Sequence, residues 1–168
     1  MGVQKHKADA PQHITIGIIS ISTTRSLVDD HSGLWIKGEA ETLGHIVVEH
    51  RVVPDDVEAI RSAVLNCIRN SAPQALLLTG GTGIAPLDVT IETIRPMLQK
   101  ELTAFGVLFA QLSFEEIGSA ALLSRATAGV IENTIVFCMP GSLKACQLAC
   151  NRLIFPELGH LAKHLYEH

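Results

Sequence analysis

Three glycines and two threonines follow a short apolar run, where residues 76–83 read LLLTGGTG. Free backbone N–H groups ahead of a helix attract anions, and glycine lets a phosphate approach the backbone closely. The hydroxyls of Thr79 and Thr82 can add donors. The loop has no G-K-[ST] signature, and Pro86 stands where the dinucleotide-binding pattern needs its third glycine. The segment therefore indicates either an anion site or a tight strand-to-helix turn that binds nothing.

Two aspartates follow predicted strands: Asp88 comes after the glycine loop, and Asp55 comes after the strand predicted over 45–53. Each could simply be the N-cap of the next helix. Asp88 precedes V-T-I-E and can cap the helix that follows it. Asp55 opens D-D-V-E, which fits a capping box with Glu58. Capping accounts for each aspartate taken alone, but it does not explain why both fall at the end of the predicted sheet where ligands bind.

A divalent cation reconciles the carboxylates with an anion site. A carboxylate 4 Å from a phosphate charge is repelled by ~1 kcal/mol in water and by more in a cleft. Mg²⁺ reverses that sign, because it binds one or two carboxylates together with phosphate oxygens and waters. The glycine loop with Asp55 and Asp88 therefore predicts a site for Mg²⁺ and a polyphosphate.

Apolar runs alternate with helical patterns along the chain. The predicted strands are residues 14–22, 45–53, 74–79 and 134–142. The predicted helices are residues 34–43 with Gly44 as C-cap, a helix after Pro54, residues 89–100 with a break near Pro96, a mostly helical stretch over 101–128, and a last helix from Leu143 that bends or restarts at Pro156. This alternation predicts an α/β fold with three α-β-α layers around a mostly parallel sheet.

The predicted loops of interest all leave strands in the same direction. They are Ser22–Thr24, Pro54–Asp55, Thr79–Gly83 and Pro140–Ser142. The carboxyl ends of parallel strands meet at one edge of a sheet, and ligands of open α/β folds bind there. We therefore expect these loops to form a single site.

Composition limits the class of protein. The chain has 168 residues, 47% of them hydrophobic and 18% charged, with a formal net charge of -4. We expect a flexible polar arm over residues 1–13 and a single domain over residues 14–168. The absence of a basic cluster argues against a nucleic-acid partner. We also expect no membrane span and no signal peptide, and hence a cytoplasmic protein.

Cysteines and histidines supply the other candidate ligands. Cys67, Cys138, Cys146 and Cys150 contain no C-x-x-C pair, and we interpret them as small buried hydrophobic residues in a reducing compartment. His160 and His164 are one helical turn apart and could hold a metal. They lack the glutamate of H-E-x-x-H and an obvious third ligand, so a solvated helix face is the favoured interpretation.

Several ordered motifs resemble the MoaB/MogA family of molybdenum cofactor biosynthesis proteins, whose domain also occurs in gephyrin and in the plant Cnx G domain. They are STTRSLVDDHSG, VPDD, TGGTGIAPLDVTIETI, FGVLFAQLSFEEIGSAALLSRATAGV and MPGSLKAC. The resemblance covers about residues 14–160, and the start with HKADAP is more similar to MoaB than to MogA. It implies the molybdopterin-binding, MogA-like fold.

The resemblance implies a molybdopterin adenylyltransferase that uses ATP and Mg²⁺. Asp55 and Asp88 match the two functional acidic residues of the family. The implied substrate-binding residues are Ser22, Thr23, Thr79, Gly80, Gly81, Thr82, Gly83, Ser124, Pro140, Gly141 and Ser142. The resemblance also implies a homotrimer or hexamer, and a downstream metal-insertion protein that accepts the product. The alternative function is a non-catalytic molybdopterin carrier or an assembly scaffold.

Five positions depart from the family pattern. Leu87 replaces an arginine beside Asp88, and Leu143 replaces a proline. Within the usual GFGELFR, the first glycine, the glutamate and the arginine correspond here to Ala104, Val107 and Ala110. A missing arginine beside phosphates implies weaker ligand binding. We interpret the changes at 107 and 110 as a charged network replaced by packing in one short helix.

Overall fold

The computed structural model describes residues 11–166. Within this range a six-stranded sheet has the order β2-β1-β3-β6-β5-β4. The strands are β1 Thr15–Ile21, β2 Ile46–Val53, β3 Ala75–Thr79, β4 Lys100–Glu101, β5 Thr127–Ile131 and β6 Thr134–Met139. Strands β2, β1, β3 and β6 are mutually parallel, whereas β5 and β4 add an antiparallel edge. The sheet is therefore mostly parallel, as predicted.

Helices cover both faces of this sheet. They are α1 His31–Thr42, α2 Val57–Asn66, α3 Thr90–Ile94, α4 Thr103–Ile117, α5 Leu143–Ala149 and α6 Leu158–Tyr166. π-helical turns extend α2 and α5, and 3₁₀ turns extend α3 and α4. Core residues of α1, α4, α5 and α6 pack on one face of the sheet, and those of α2 and α3 pack on the other. The predicted three-layer α-β-α fold is confirmed.

The alternation of side chains along the central strands builds the two cores. Ile16 and Ile18 belong to one apolar cluster, whereas Ile19 and Ile21 belong to the other. In the same way β3 and β6 send successive side chains to opposite faces. A strand covered on both faces needs an unbroken apolar run, which explains the isoleucine-rich stretch at the start of the domain.

The ends of α1 follow from local side-chain chemistry. Asp30 caps its start by accepting a hydrogen bond from Gly33 N at 3.1 Å, so the helix begins three residues before the predicted Leu34. Gly44 has φ +87°, and His45 N donates to Ala40 O at 2.9 Å. This is the left-handed helix end for which glycine is suited, and the predicted C-cap glycine is confirmed.

Two predictions for residues 89–131 are wrong in part. The helix predicted over 89–100 ends early, because Pro96 turns it into the 3₁₀ segment Arg95–Met97, and Lys100–Glu101 is a strand. The stretch predicted as mostly helical over 101–128 ends in strand β5 instead. Strand β5 forms a hairpin with β6 across Glu132, whose φ is +52°. The secondary structure of this region depends on pairing with strands at the edge of the sheet, and a local helical pattern in the sequence does not reveal such pairing.

One helical stretch, Thr103–Leu123, is long and apolar enough to cross a membrane by length and composition, with a mean hydropathy of 1.2. The sequence had been expected to hold no such run. The stretch includes the adjacent carboxylates Glu115 and Glu116, and Phe105 and Phe109 pack into the core of the sheet. It therefore fits a helix packed on a folded domain that leaves one apolar face exposed.

The remaining predictions on the chain ends and cysteines have mixed outcomes. Residues 1–10 of the predicted arm lie outside the described residues, while His13 Nδ1 donates to Gly44 O at 2.7 Å. The single domain over 14–168 stays a prediction.

All four cysteines are free and buried, as expected, and burial raises the pKa of the Cys67 thiol to about 12. Helix α6 begins after Pro156, so the predicted restart is confirmed.

Candidate active site

The loops at the carboxyl ends of the parallel strands surround one cleft of about 330 Å³. Its lining residues are Ile21, Ser22, Arg25, Asp55, Gly80, Gly81, Thr82, Gly83, Asp88, Leu123, Pro140, Gly141 and Ser142. The loops after β1, β2, β3 and β6 all contribute, so the structure brings together the four loops that the sequence pattern placed at one site.

Asp55 does not cap α2, which corrects the proposed capping box. The N-cap is the next residue, Asp56, whose carboxylate accepts from Ala59 N at 2.9 Å. The carboxylate of Asp55 instead accepts from the backbone N–H and the hydroxyl of Thr23, at 2.7 and 2.8 Å. The two adjacent aspartates thus have different roles: Asp56 caps α2, and Thr23 holds Asp55 at the cleft.

Asp88 does not cap α3 either. The residue at the N-cap position is Val89, which makes no side-chain capping bond. One oxygen of Asp88, Oδ2, accepts from Ala85 N at 2.9 Å and closes the turn after the glycine loop. Within residues 11–166 the Oδ1 atoms of Asp88 and Asp55 accept no hydrogen bond. Each carboxylate is half-buried and keeps one oxygen for a further ligand.

The glycine loop runs between these two carboxylates. A Cβ built on Gly81 would lie 3.2 Å from Asp55 Oδ1, and one built on Gly83 would lie 2.6 Å from Asp88 Oδ2. Gly80 and Gly81 have φ of +103° and +62°, whereas Gly83 does not adopt a positive φ. Glycine is therefore favoured at position 81 by its positive φ, and at position 83 by the nearby Asp88 carboxylate, which a side chain would meet.

Side chains also hold the loop backbone in place. Thr90 Oγ1 donates to Gly80 O at 2.8 Å, and Thr90 N donates to Gly81 O at 2.9 Å. A Cβ on Gly80 would meet Ile21 O at 2.3 Å. The loops after β1 and β3 approach each other so closely that a side chain would not fit at Gly80, which explains the glycine without any ligand.

Three of the predicted substrate-binding residues lie beside the cleft rather than on it. Thr79 is buried, and its hydroxyl donates to Pro140 O at 3.0 Å. Thr23 lines an adjoining cleft and reaches the site only through Asp55. Ser124 lines a neighbouring apolar cleft of about 280 Å³, which shares Pro140 and Ser142 with the first. The other predicted residues line the cleft directly.

The loop after β6 closes the far side of the site. Ser32 Oγ donates to Gly141 O at 2.9 Å, and Arg25 Nη1 donates to the same oxygen at 3.4 Å. Ser142 has a structural role as well, because its hydroxyl accepts from Ala145 N at 3.3 Å and caps α5. The N-terminus of α5 thus begins at the edge of the cleft.

Two arginines that the sequence pattern did not single out lie at the site. Arg25 lines the cleft and brings a positive charge beside the two carboxylates. Arg125 Nη1 donates to Gly83 O at 3.0 Å, and its guanidinium pairs with Glu92. Burial by itself raises the pKa of Glu92, but the hydrogen bonds and charge of Arg125 outweigh it and lower that pKa. The position of Arg25 in a polar loop after a strand was the available signal, whereas Arg125 had none.

A buried polar network supports the loop after β1 from below. Asp30 is completely buried, and its Oδ2 accepts from Ser20 Oγ at 2.5 Å and pairs with His50 Nε2 at 2.8 Å. Burial by itself raises the pKa of Asp30, but hydrogen bonds from His50, Ser20 and Gly33 together lower it below its ordinary value. The network ties the start of α1 to strands β1 and β2 beneath the cleft.

Residues 17–160 match the family model described as "Probable molybdopterin binding domain". This chain belongs to that family. The molybdopterin-binding domain therefore accounts for nearly the whole chain, and the expected resemblance to the MoaB/MogA proteins is confirmed.

Relatives and solved structures of this domain agree with the match. The chain is 46% identical to the molybdenum cofactor biosynthesis protein B of Bacillus subtilis (strain 168) over 98% of both sequences. It is 39% identical to the molybdopterin adenylyltransferase of Pyrococcus furiosus over 99% of this chain and 100% of that protein. The crystal structure of the tungsten cofactor synthesizing protein MoaB from Pyrococcus furiosus superimposes with a TM-score of 0.85 at 37% identity, covering 94% of this chain and 100% of the other.

The positions that depart from the MoaB/MogA pattern are mostly on the surface. Leu87 is 66% exposed and Val107 is 67% exposed. Helix α4 has fifteen residues, so the changes at Val107 and Ala110 do not fall in a short helix. We expected packing to replace a charged network at Val107. Within a single chain this expectation is wrong, because the Val107 side chain is mostly exposed and makes little packing contact with the described residues.

Proposed function

We propose that this molybdopterin-binding domain is a molybdopterin adenylyltransferase of molybdenum or tungsten cofactor biosynthesis. The terminal phosphate oxygen of molybdopterin attacks the α-phosphorus of ATP, the bond from that phosphorus to the bridging oxygen breaks, and pyrophosphate leaves. The observation that carries the proposal is the placement of Asp55 and Asp88 on two sides of a glycine loop, each with an oxygen left for a ligand.

The carboxylate pair suits Mg²⁺. Both ligands are hard oxygen donors, and no group of three or more metal-binding side chains gathers anywhere in residues 11–166. Mg²⁺ is commonly bound by one or two carboxylates, with substrate phosphates and water completing its shell. Asp55 and Asp88 would hold the ion, which neutralises phosphate charge when bound. The hydrogen bonds from Thr23 and from Ala85 N fix the two carboxylates in position beforehand.

The other cleft residues bind and orient phosphates. Arg25 offers a charge-assisted hydrogen bond, and the N–H groups of Gly81–Gly83 and of the start of α5 offer further donors, whereas Gly80 N already donates to Met139 O. Phosphoryl transfer depends mainly on positioning and charge neutralisation, so a protein nucleophile is unnecessary. The apolar cleft beside Leu123 and Ser124 suits the flat ring of one of the two substrates.

We also propose that copies of the chain assemble into a trimer or a pair of trimers. Helix α4 and the 3₁₀ turn after it expose a row of apolar side chains, with Phe114 61% and Leu122 87% exposed. Contiguous apolar surface of this kind is typical of an interface, and cyclic symmetry covers it in every copy. Light scattering that reports the monomer mass of 18.1 kDa at micromolar concentration would contradict this proposal.

The second candidate function is a molybdopterin carrier or scaffold, which the lost arginine at Leu87 favours. The decisive experiment incubates the protein with molybdopterin, ATP and MgCl₂ and measures the adenylylated pterin and pyrophosphate. Product that requires Mg²⁺ supports the enzyme. Molybdopterin binding without product, and without any effect of Mg²⁺, supports the carrier. The enzyme would act in the cytoplasm, in keeping with its free buried cysteines, and would pass its product to a metal-insertion protein.

A further inference from the structure

A pair of histidines lies at the end of the molecule opposite to the active site. His160 lines a cleft of about 470 Å³ together with Pro11, Gln12 and His45. Pro11 and Gln12 precede strand β1, and His45 precedes strand β2, so the cleft lies at the amino ends of the parallel strands. The reaction cleft lies at the carboxyl ends, and the function proposed above therefore makes no use of this region.

Helix α6 brings the two imidazole rings together. His160 and His164 are one turn apart, and their Nε2 atoms face each other at 3.0 Å. The ring centroids are 4.7 Å apart, and the rings are inclined by 63°. In the absence of metal, this contact is a hydrogen bond in which one Nε2 carries the proton and the other accepts it.

The separation of the two nitrogens matches adjacent ligands of one metal ion. With metal–nitrogen distances of about 2.0–2.1 Å, two ligands at angles between a right angle and the tetrahedral angle lie about 2.8–3.4 Å apart. The observed 3.0 Å falls within that range. The two nitrogens are therefore spaced as two ligands of one cation, which would take the place of the shared proton.

A carboxylate stands behind one of the rings. Glu157 Oε2 lies 3.3 Å from His160 Nδ1. A proton on Nδ1 donated to this carboxylate leaves the lone pair on Nε2, which is the atom that faces His164. Histidines that bind metals usually donate their other ring N–H to a carboxylate or carbonyl, and such a partner raises the basicity of the ligand.

We propose that His160 and His164 chelate a late divalent transition-metal ion, with Zn²⁺ and Cu²⁺ as the best candidates. Imidazole suits these ions, and affinity for such ligands is highest near Cu²⁺ in the first-row series. No third protein ligand joins the pair within the part of the chain that the structure describes. The His164 side chain is exposed and the His160 side chain is 23% exposed, so a metal ion can reach the pair from solvent.

Calorimetric titration of metal-free protein with ZnCl₂ at pH 7.5 tests the site. We expect one saturable event per chain, which disappears in the His160→Ala/His164→Ala double variant. Glu157→Gln should weaken it by about tenfold, because it removes only the carboxylate behind His160. His31→Ala, which removes an exposed histidine at the start of α1, is the matched control and should bind as the wild type does.

Thermal unfolding gives a second reading that does not depend on calorimetry. ZnCl₂ should raise the melting temperature of the wild type and of His31→Ala but not that of the double variant. MgCl₂ should raise none of them through this site, since Mg²⁺ prefers oxygen ligands. Unchanged zinc binding in the double variant, or no saturable binding in the wild type, overturns the proposal. Adenylyl transfer by the double variant is expected to equal that of the wild type, so the two proposals can fail separately.

Discussion

Thr23 and Asp55 are separated by 32 residues in the chain and joined by three hydrogen bonds. The Asp55 carboxylate accepts from Thr23 N and from Thr23 Oγ1, and Asp55 N donates to that same hydroxyl oxygen at 3.2 Å. The contact links the loops after β1 and β2, and it commits one oxygen of Asp55 while the other faces the glycine loop. Asp55 is thus oriented before any ligand arrives.

Replacement of the carboxylates separates metal binding from structure. Asp88→Asn and Asp55→Asn keep an oxygen that can accept the hydrogen bonds from Ala85 N and from Thr23, but they remove the charge. We expect adenylyl transfer to fall by about a hundredfold or more, with little change in melting temperature. Asp56→Asn is the control, because asparagine caps a helix as well as aspartate does. Normal turnover in Asp88→Asn and Asp55→Asn would show that neither carboxylate holds Mg²⁺.

The backbone of the glycine loop can be tested against another glycine of the same chain. Gly81→Ala places a side chain at φ +62° and 2.4 Å from Thr90 Oγ1, so we expect a loss of unfolding free energy of about 1–2 kcal/mol or more. Gly38→Ala lies in the middle of α1 with nothing within 4 Å, and we expect a gain of roughly 0.5–1 kcal/mol. Urea denaturation measures both. Equal effects of the two substitutions would contradict the close approach at Gly81.

An arginine at position 87 tests the main departure from the family pattern. Leu87 is 66% exposed beside Asp88, so the charge of Leu87→Arg would be solvated and we expect an unchanged melting temperature. One charge-assisted hydrogen bond to a phosphate corresponds to roughly tenfold to a hundredfold tighter ATP or molybdopterin binding. The control is Leu43→Arg, which is 48% exposed at the end of α1 and lies on neither the active-site cleft nor α4. Unchanged affinity in Leu87→Arg, measured by calorimetry, would mean that this position does not contact the ligand.

The buried Asp30 predicts a loss of stability in acid. Its folded-state pKa is lowered below the ordinary 3.8, so its contribution is fully present above pH 4 and is lost as pH falls through the folded pKa. Asp30→Asn removes this contribution, and we expect a loss of about 1–3 kcal/mol at pH 7 and a flatter dependence below pH 4. Denaturant unfolding between pH 3 and pH 7 measures both curves. Parallel curves for the two proteins would contradict the prediction.

Local pattern was sufficient for much of the fold. The even and odd isoleucines of β1 already required a strand buried on both faces, because successive side chains of a strand point to opposite sides. Parallel strands all present their carboxyl ends at one edge, so the shared location of the four loops followed from the parallel direction of the strands. Gly44 ended α1 as expected, since few other residues adopt φ +87° easily.

Only the tertiary structure decided how the site is assembled from these parts. Asp56 caps α2, whereas Asp55 lies at the cleft, because Thr23 from a distant loop donates a hydrogen bond to the Asp55 carboxylate. Arg125 reaches the glycine loop from beyond α4, and strand β5 exists because β6 offers an edge with which to pair. Such contacts join residues far apart in the chain, so their geometry depends on packing between elements. The residue types and spacing show which groups are available, whereas the packing determines which of them meet.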